Sequence, residues 1–297
     1  MLAPGRKAIT PQCGIKGEPA TIGLRSMAPL GPITVGYDGS PDAQRAAAWS
    51  GVVAGALDGV AVHLVHALSM PVLLAHHWQM SVEALFETQE REMRERLEIE
   101  RRALAAQGVG CELFVRRWLP VETLLEHAVE HGAGLIVVGQ HGHQPSRLLL
   151  GGVSDAVARQ AEAPVVVVRG EPRPAPPRTV LLALDGSEAS RRAAEAVASW
   201  FPEARVRAVR VRAEDADTDD LGAITGLLEG LGVTAERIEV RLSDGPAAET
   251  LLELASEPDV DLLAAGRRGT SGWRELLLGG VSSKLLQLSP CPVLLAH

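Results

Sequence analysis

Two short glycine-spaced segments carry the chemistry this sequence can do. Gly139-Gln-His-Gly142 and Gly266-Arg-Arg-Gly269 each follow an apolar run, and each leads to a second glycine pair, Gly151-Gly152 and Gly279-Gly280, ahead of Val-Ser. Glycine lets the backbone approach a ligand closely, and successive amides beside a helix N-terminus make a cradle for an anion such as phosphate. Asp38-Gly-Ser40 and Asp185-Gly-Ser187 follow two other apolar runs. A carboxylate at the same edge can accept a hydrogen bond from adenine or ribose, or bind Mg²⁺. One Gly-x-x-Gly by itself is two tight turns. The whole set, in order and twice, is far more specific.

The elements that must position these groups are themselves repeated. Ile33-Thr-Val-Gly-Tyr-Asp38 returns as Val180-Leu-Leu-Ala-Leu-Asp185, Leu148-Leu-Leu-Gly-Gly-Val-Ser154 as Leu276-Leu-Leu-Gly-Gly-Val-Ser282, and Ala163-Pro-Val as Cys291-Pro-Val. A period this long is domain-sized, so it signals tandem duplication rather than a solenoid. Residues 1–30 lack any core-forming pattern and read as a disordered tail, with Met27 an alternative start. Residues 31–170 form a first domain, 171–178 a stiff proline-rich linker, and 179–297 a second domain.

Each half alternates strand and helix. In the first, strands are expected at 33–37, 60–67, 111–116, 135–138 and 165–168. Helices are expected at 42–55, 81–107, 122–131 and 153–161, the first capped by Ser40 with Pro41 behind it. In the second, strands are expected near 180–184, 206–211, 236–241, 261–265 and 293–296. Buried strands alternating with helices imply a parallel sheet covered on both faces, with ligands beyond the carboxyl ends of the strands.

With those motifs in place, the chain resembles the universal stress protein family in tandem form, over about 260 of its 297 residues. The resemblance implies two flavodoxin-like (Rossmann-like) α/β domains of five parallel strands each. It also implies ATP or a related adenine nucleotide as ligand, with Mg²⁺ as a companion, and a nucleotide-dependent regulatory role in stress adaptation. The family's ATP-binding branch carries Gly-x2-Gly-x9-Gly-(Ser/Thr). Gly266, Gly269 and Gly279 keep that spacing, but Gly280 replaces the hydroxyl residue. The first half is one residue short between Gly142 and Gly151, and Gly152 replaces its hydroxyl residue. On spacing, the second half ranks as the nucleotide site. By the resemblance, Asp38 and Ala67, or Asp185 and Val211, contact adenine. Ser154 and Ser282 are expected to offer substitute hydroxyls. Arg267 and Arg268 read either as phosphate ligands or as an exposed turn pair. The family also dimerises through its last strand, so Val165–Val168 and Val293–Ala296 are expected to pair within one chain as a pseudo-dimer, with a homodimer open as well.

Composition narrows the alternatives. Net charge is −8 and aromatic residues are 3%, which argues against a general nucleic-acid binder. Three scattered cysteines, with no Cys-x-x-Cys, read as reducing cytoplasm without a zinc ribbon. No apolar run is long enough to span a membrane. His127 and His131 read as a partly exposed helix face rather than a metal site, and Trp118 as a packing residue. No catalytic triad or paired carboxylates are recognisable, so an enzyme, beyond slow ATP turnover, is not expected. The competing class is a nucleotide-free interaction scaffold with degenerate glycine loops.

Overall fold

A computed structural model describes residues 30–69, 82–142, 151–171, 173–212, 221–268 and 278–297. In the first half, β1 (Ile33–Gly36), α1 (Pro41–Gly55), β2 (Val62–Ala67), α2 (Val82–Ala106), β3 (Cys111–Arg116), α3 (Pro120–Glu130), β4 (Leu135–Gly139), α4 (Gly152–Gln160) and β5 (Val165–Val168) follow one another. The second half repeats the order as β6 (Thr179–Ala183), α5 (Glu188–Trp200), β7 (Arg205–Arg212), α6 (Leu221–Gly230), β8 (Ile238–Asp244), α7 (Ala247–Ala255), β9 (Leu262–Gly266), α8 (Gly280–Leu288) and β10 (Val293–Ala296).

All strands join one ten-stranded sheet in the order β3-β2-β1-β4-β5-β10-β9-β6-β7-β8. Within each half the pairs are parallel, in the Rossmann-like order 3-2-1-4-5. At the centre β5 and β10 pair antiparallel, with Val293 opposite Val167 and Leu295 opposite Val165. The two carboxyl edges therefore face opposite ends of the sheet.

The strands are apolar on both sides because helices cover both sides. One layer packs Ile33, Val35 and Leu64 against alanines of α1 and against Leu97 and Leu104 of α2. The small side chains at Ala43, Ala46 and Ala47 bring α1 close to the sheet. The layer runs on across the seam, where Trp49 meets the edge of Phe201 at 6.2 Å between centroids. The other layer packs Val65, Val138 and Leu263 against Leu124, Val157, Leu251 and Leu285 of α3, α4, α7 and α8.

The charged stretch 87–102 is solvated along most of its length, with Glu90–Arg94 and Glu98–Arg101 pairs, while Leu97 within it and Leu104 beyond it form the buried stripe of α2. Two expectations need correcting. Trp118 does not pack; it is 59% exposed beside α3. His127 is not on an exposed face; it is fully buried against β2. The expectation for the tail lies outside the described residues apart from Leu30.

Candidate functional site

The order of strands places a crevice between β1 and β4, where chain connections leave in opposite directions. In the first half that crevice is a cleft of about 560 Å³. Its floor and one wall are apolar: Val65 and Ala67 from β2 and Leu124 from α3. Asp38, Gly142 and the start of α4 close the polar side.

Each polar feature has a local cause. Asp38 Oδ1 accepts from Ser40 N–H at 2.9 Å, and Gly39 between them has φ +81°, which glycine adopts without strain. Ser40 then caps α1, its Oγ accepting from Ala43 N–H at 3.2 Å. In the first turn of α1, Asp42 Oδ2 accepts from the N–H of His141 on the facing loop at 2.9 Å and fixes the turn after β4. Gly139 needs to be glycine because a Cβ there would sit 2.5–2.7 Å from the backbone and side chain of Asp42. At Gly142 a Cβ would sit 2.7 Å from Asp38 Oδ2. The loop thus lies directly against the carboxylate.

The helices that begin at the two carboxyl edges include two kinds. The α1 and α5 helices are capped by Ser40 and Ser187. The α4 and α8 helices start at Gly151 and Gly279, with no side-chain cap. A glycine N-cap leaves the first amides for an outside acceptor, and the helix dipole favours an anion there. A Cβ on Gly152 would meet nothing within 4 Å, so the helix end opens onto free space.

The second half brings Asp185, Val211, Gly266, Gly279 and Gly280 to the equivalent edge of β6, β7 and β9. Asp185 Oδ1 accepts from Ser187 N–H at 2.9 Å, and Gly186 has φ +83°. Asp185 is exposed, whereas Asp38 is half-buried. Gly269 lies outside the described residues. The loop-length difference between the halves also falls there, within 143–150 and 269–277. The described ends of the two loops close alike: Gly151 N–H donates to Gln140 O at 2.9 Å, and Gly279 N–H to Arg267 O at 3.2 Å. Spacing ranked the second half first; residues 269–277 of its loop lie outside the described residues, and the cleft above is the first half's.

Two expectations about these residues do not survive their geometry. Ser154 Oγ donates to Gly139 O at 2.6 Å, and Ser282 Oγ to Gly266 O at 2.8 Å. Both hydroxyl protons tie a helix start to a strand end and are not offered to a ligand. Arg267 does not reach a phosphate position. Its side chain is buried in the first half, where Nη1 donates to Ala161 O at 2.7 Å at the C-terminus of α4. Burial, with Arg268 nearby, lowers its pKa to about 10. Gly151 and Gly279 lie outside the left-handed region, with φ of −58° and −60°. They leave the helix ends uncapped; they do not relieve strain.

Val65 and Leu124 were not singled out from the sequence. Val65 follows from the two-residue period that puts it on the face of Ala67. Leu124 lies in Glu122-Thr-Leu-Leu, which returns as Glu249-Thr-Leu-Leu. Among the described residues no group of three His, Cys, Asp or Glu gathers as a metal site, and no helix is long and apolar enough to cross a membrane.

Comparison with known proteins agrees with this arrangement. The family described as Universal stress protein family matches residues 30–169 and again 177–297. A universal stress protein of Mycolicibacterium smegmatis is 28% identical over 292 residues, spanning 89% of this chain and 96% of that protein. One from Mycobacterium tuberculosis is 28% identical over 299 residues, with the same coverage. Among solved structures, a universal stress protein from Archaeoglobus fulgidus superposes with a TM-score of 0.68 at 18% identity, covering 90% of this chain and 96% of its own.

Proposed function

The chain belongs to the universal stress protein family, and we propose that it binds ATP or a related adenine nucleotide and acts in the cytoplasm as a nucleotide-dependent regulator of stress adaptation. The observation that carries this reading is the first half's cleft, which joins an apolar slot to an uncapped helix start. Its volume suits a nucleotide-sized ligand. An adenine ring fits between Val65, Ala67 and Leu124, with Asp38 accepting from the base or the ribose. Phosphates then meet the amides of Gly152 and Val153 in the first turn of α4. Gly139 and Gly142 bring the loop close enough to do the same. A magnesium ion would arrive on the phosphates, since the described residues gather no cage for it. The second half's Asp185, Val211, Gly266, Gly279 and Gly280 form the secondary site in this proposal. The unit of action is the two halves, residues 31–170 and 179–297, joined by 171–178.

The scaffold reading has one observation in its favour: the hydroxyls of Ser154 and Ser282 are committed to backbone carbonyls. Acid release of nucleotide from purified protein, followed by ATP titration, separates the two. The nucleotide reading expects bound adenine nucleotide, and at least tenfold weaker ATP binding in Ala67→Trp, which fills the slot. No binding at millimolar ATP with Mg²⁺ leaves the scaffold reading standing.

A further inference from the structure

Between α3 and the sheet lie three histidines where an apolar contact would be ordinary. His63 on β2 and His127 on α3 are buried, with His63 Nδ1 3.1 Å from His127 Nε2. His131 stacks on His127 at 4.0 Å between centroids, and Phe114 of β3 meets the His127 ring at 4.3 Å. The His63–His127 bond needs one ring to donate and the other to accept, so it exists only while at least one of them is neutral. His127 Nδ1 is buried without a hydrogen-bond partner, as are Thr123 Oγ1, one turn earlier, and Thr34 Oγ1 on β1. Thr34 lies beside His63 in register. The charged groups that face the cluster are Glu112 and Arg116 from β3 and Glu130 from α3, the last two paired with each other. On α4, which also packs against α3, Asp155 and Arg159 pair with one another.

The second half fills the same place differently. Thr34 pairs with His63 as its repeat partner Leu181 pairs with Arg207, and the Glu-Thr-Leu-Leu repeat sets His127 against Leu254 and His131 against Pro258. Arg207 is buried and bound by Glu239, Glu257 and Asp259 at 3.1, 2.6 and 2.8 Å.

We propose that the histidine cluster makes the first half's cleft acid-responsive: proton uptake below neutral pH loosens α3, whose first turn walls the cleft, and weakens nucleotide binding there while the second half keeps its packing. This rests on the nucleotide reading above. Burial first, then His131, His63 and Arg116, push His127 down to about 3, against Glu130. Burial lowers His63 as well, against Glu112. A histidine released from the cluster regains an ordinary pKa of about 6.5. Above that pH both the packed and the opened forms are neutral, and pH has no effect. Below it only the opened form takes up the proton, so opening grows about tenfold per pH unit until the packed form titrates as well. Between pH 7.5 and 5.0 a single such histidine multiplies opening about thirtyfold. In the second half the Arg207 hydrogen bond holds Asp259 below the usual carboxylate range. The stability from that shift is present above about pH 4 and is lost only as pH falls further.

The test uses the full chain. Hydrogen-exchange protection of α3 amides, corrected for intrinsic rates, is measured without nucleotide at pH 7.5 and 5.0, with α7 as internal reference. Protection in α3 is expected to fall at least tenfold more than in α7; an equal change overturns the proposal. ATP is then titrated into the unmutated protein and His127→Leu at both pH values, so that protonation of ATP itself cancels. The unmutated protein is expected to lose at least threefold more affinity than the variant, and an equally steep loss in the variant overturns the link to the cleft. Should His127→Leu not fold, His127→Gln makes the same comparison. If ATP binds at neither pH while α3 still loses protection, the acid response stands and it is the nucleotide reading that falls.

Discussion

At the scale of single residues, the same type in the two halves does different work, and substitution separates them. A Cβ on Gly151 would come 3.1 Å from Gln140 O, while one on Gly279 would meet nothing nearer than 3.6 Å. Gly151→Val is therefore expected to cost about 1–2 kcal/mol in urea unfolding and to weaken ATP binding at least tenfold. Gly279→Val is expected to leave the unfolding midpoint almost unchanged. Arg207→Met removes a buried cation from three carboxylates that are partly open to water. The expected cost is about 2–3 kcal/mol at pH 7, below that of a fully buried pair. Asp259 has its pKa held low by Arg207, so that contribution is present above about pH 4 and lost as pH falls through the folded value. The gap between variant and unmutated protein should accordingly narrow in acid. The sequence displayed Asp38 and the glycine pairs because their chemistry is local. It did not display the commitments of Ser154 and Arg267, because a hydroxyl or guanidinium is assigned by partners far away in the chain: Gly139 O for one, Ala161 O for the other.

At the scale of elements, local signals were readable and irregular ones were not. Cys111–Arg116, Val165–Val168 and Val293–Ala296 stand where apolar runs between turn residues put them. The helix starting at Pro41 follows from its serine cap, which also sets the direction in which Asp38 meets the cleft. Ser40→Ala is expected to cost about 1 kcal/mol by urea unfolding, with Ser187→Ala similar in the second half. Strand β8 begins at Ile238 and not near 236, because residues 235–237 close a 3₁₀ turn that apolar alternation does not announce. The histidine cluster was invisible for a related reason. His127 and His131 share a helix face in any reading, but only the crossing of α3 over β2 brings His63 to them.

At the scale of the molecule, the halves are held by more than paired strands. Arg169, just past β5, donates to Leu286 O and Gln287 O at 2.7 and 2.8 Å, at the end of α8. Arg267, just past β9, donates to the end of α4. Each half thus supplies a cation to the C-terminus of a helix whose open N-terminus belongs to the other half's cradle, where it also complements the helix dipole. Arg169→Ala and Arg267→Ala are each expected to cost about 1–3 kcal/mol by chemical unfolding, since each leaves backbone carbonyls unmatched. Isolated halves, with the central strand bare and a helix end uncapped, are expected to self-associate at micromolar concentration; a stable monomer in sedimentation would show that the seam is dispensable. The duplication was plain in the sequence, but the exchange of arginines was not, for Arg169 and Arg267 stand at non-equivalent positions of the repeat. The antiparallel join of β5 to β10 has an evolutionary consequence as well. A symmetric homodimer must write every substitution twice, once into each copy, so its two clefts change together. Here the same join lies within one polypeptide, and each mutation falls on one side alone. Histidines can therefore accumulate beneath one helix while an arginine with three carboxylates settles beneath its twin, so that every molecule carries both versions in fixed proportion.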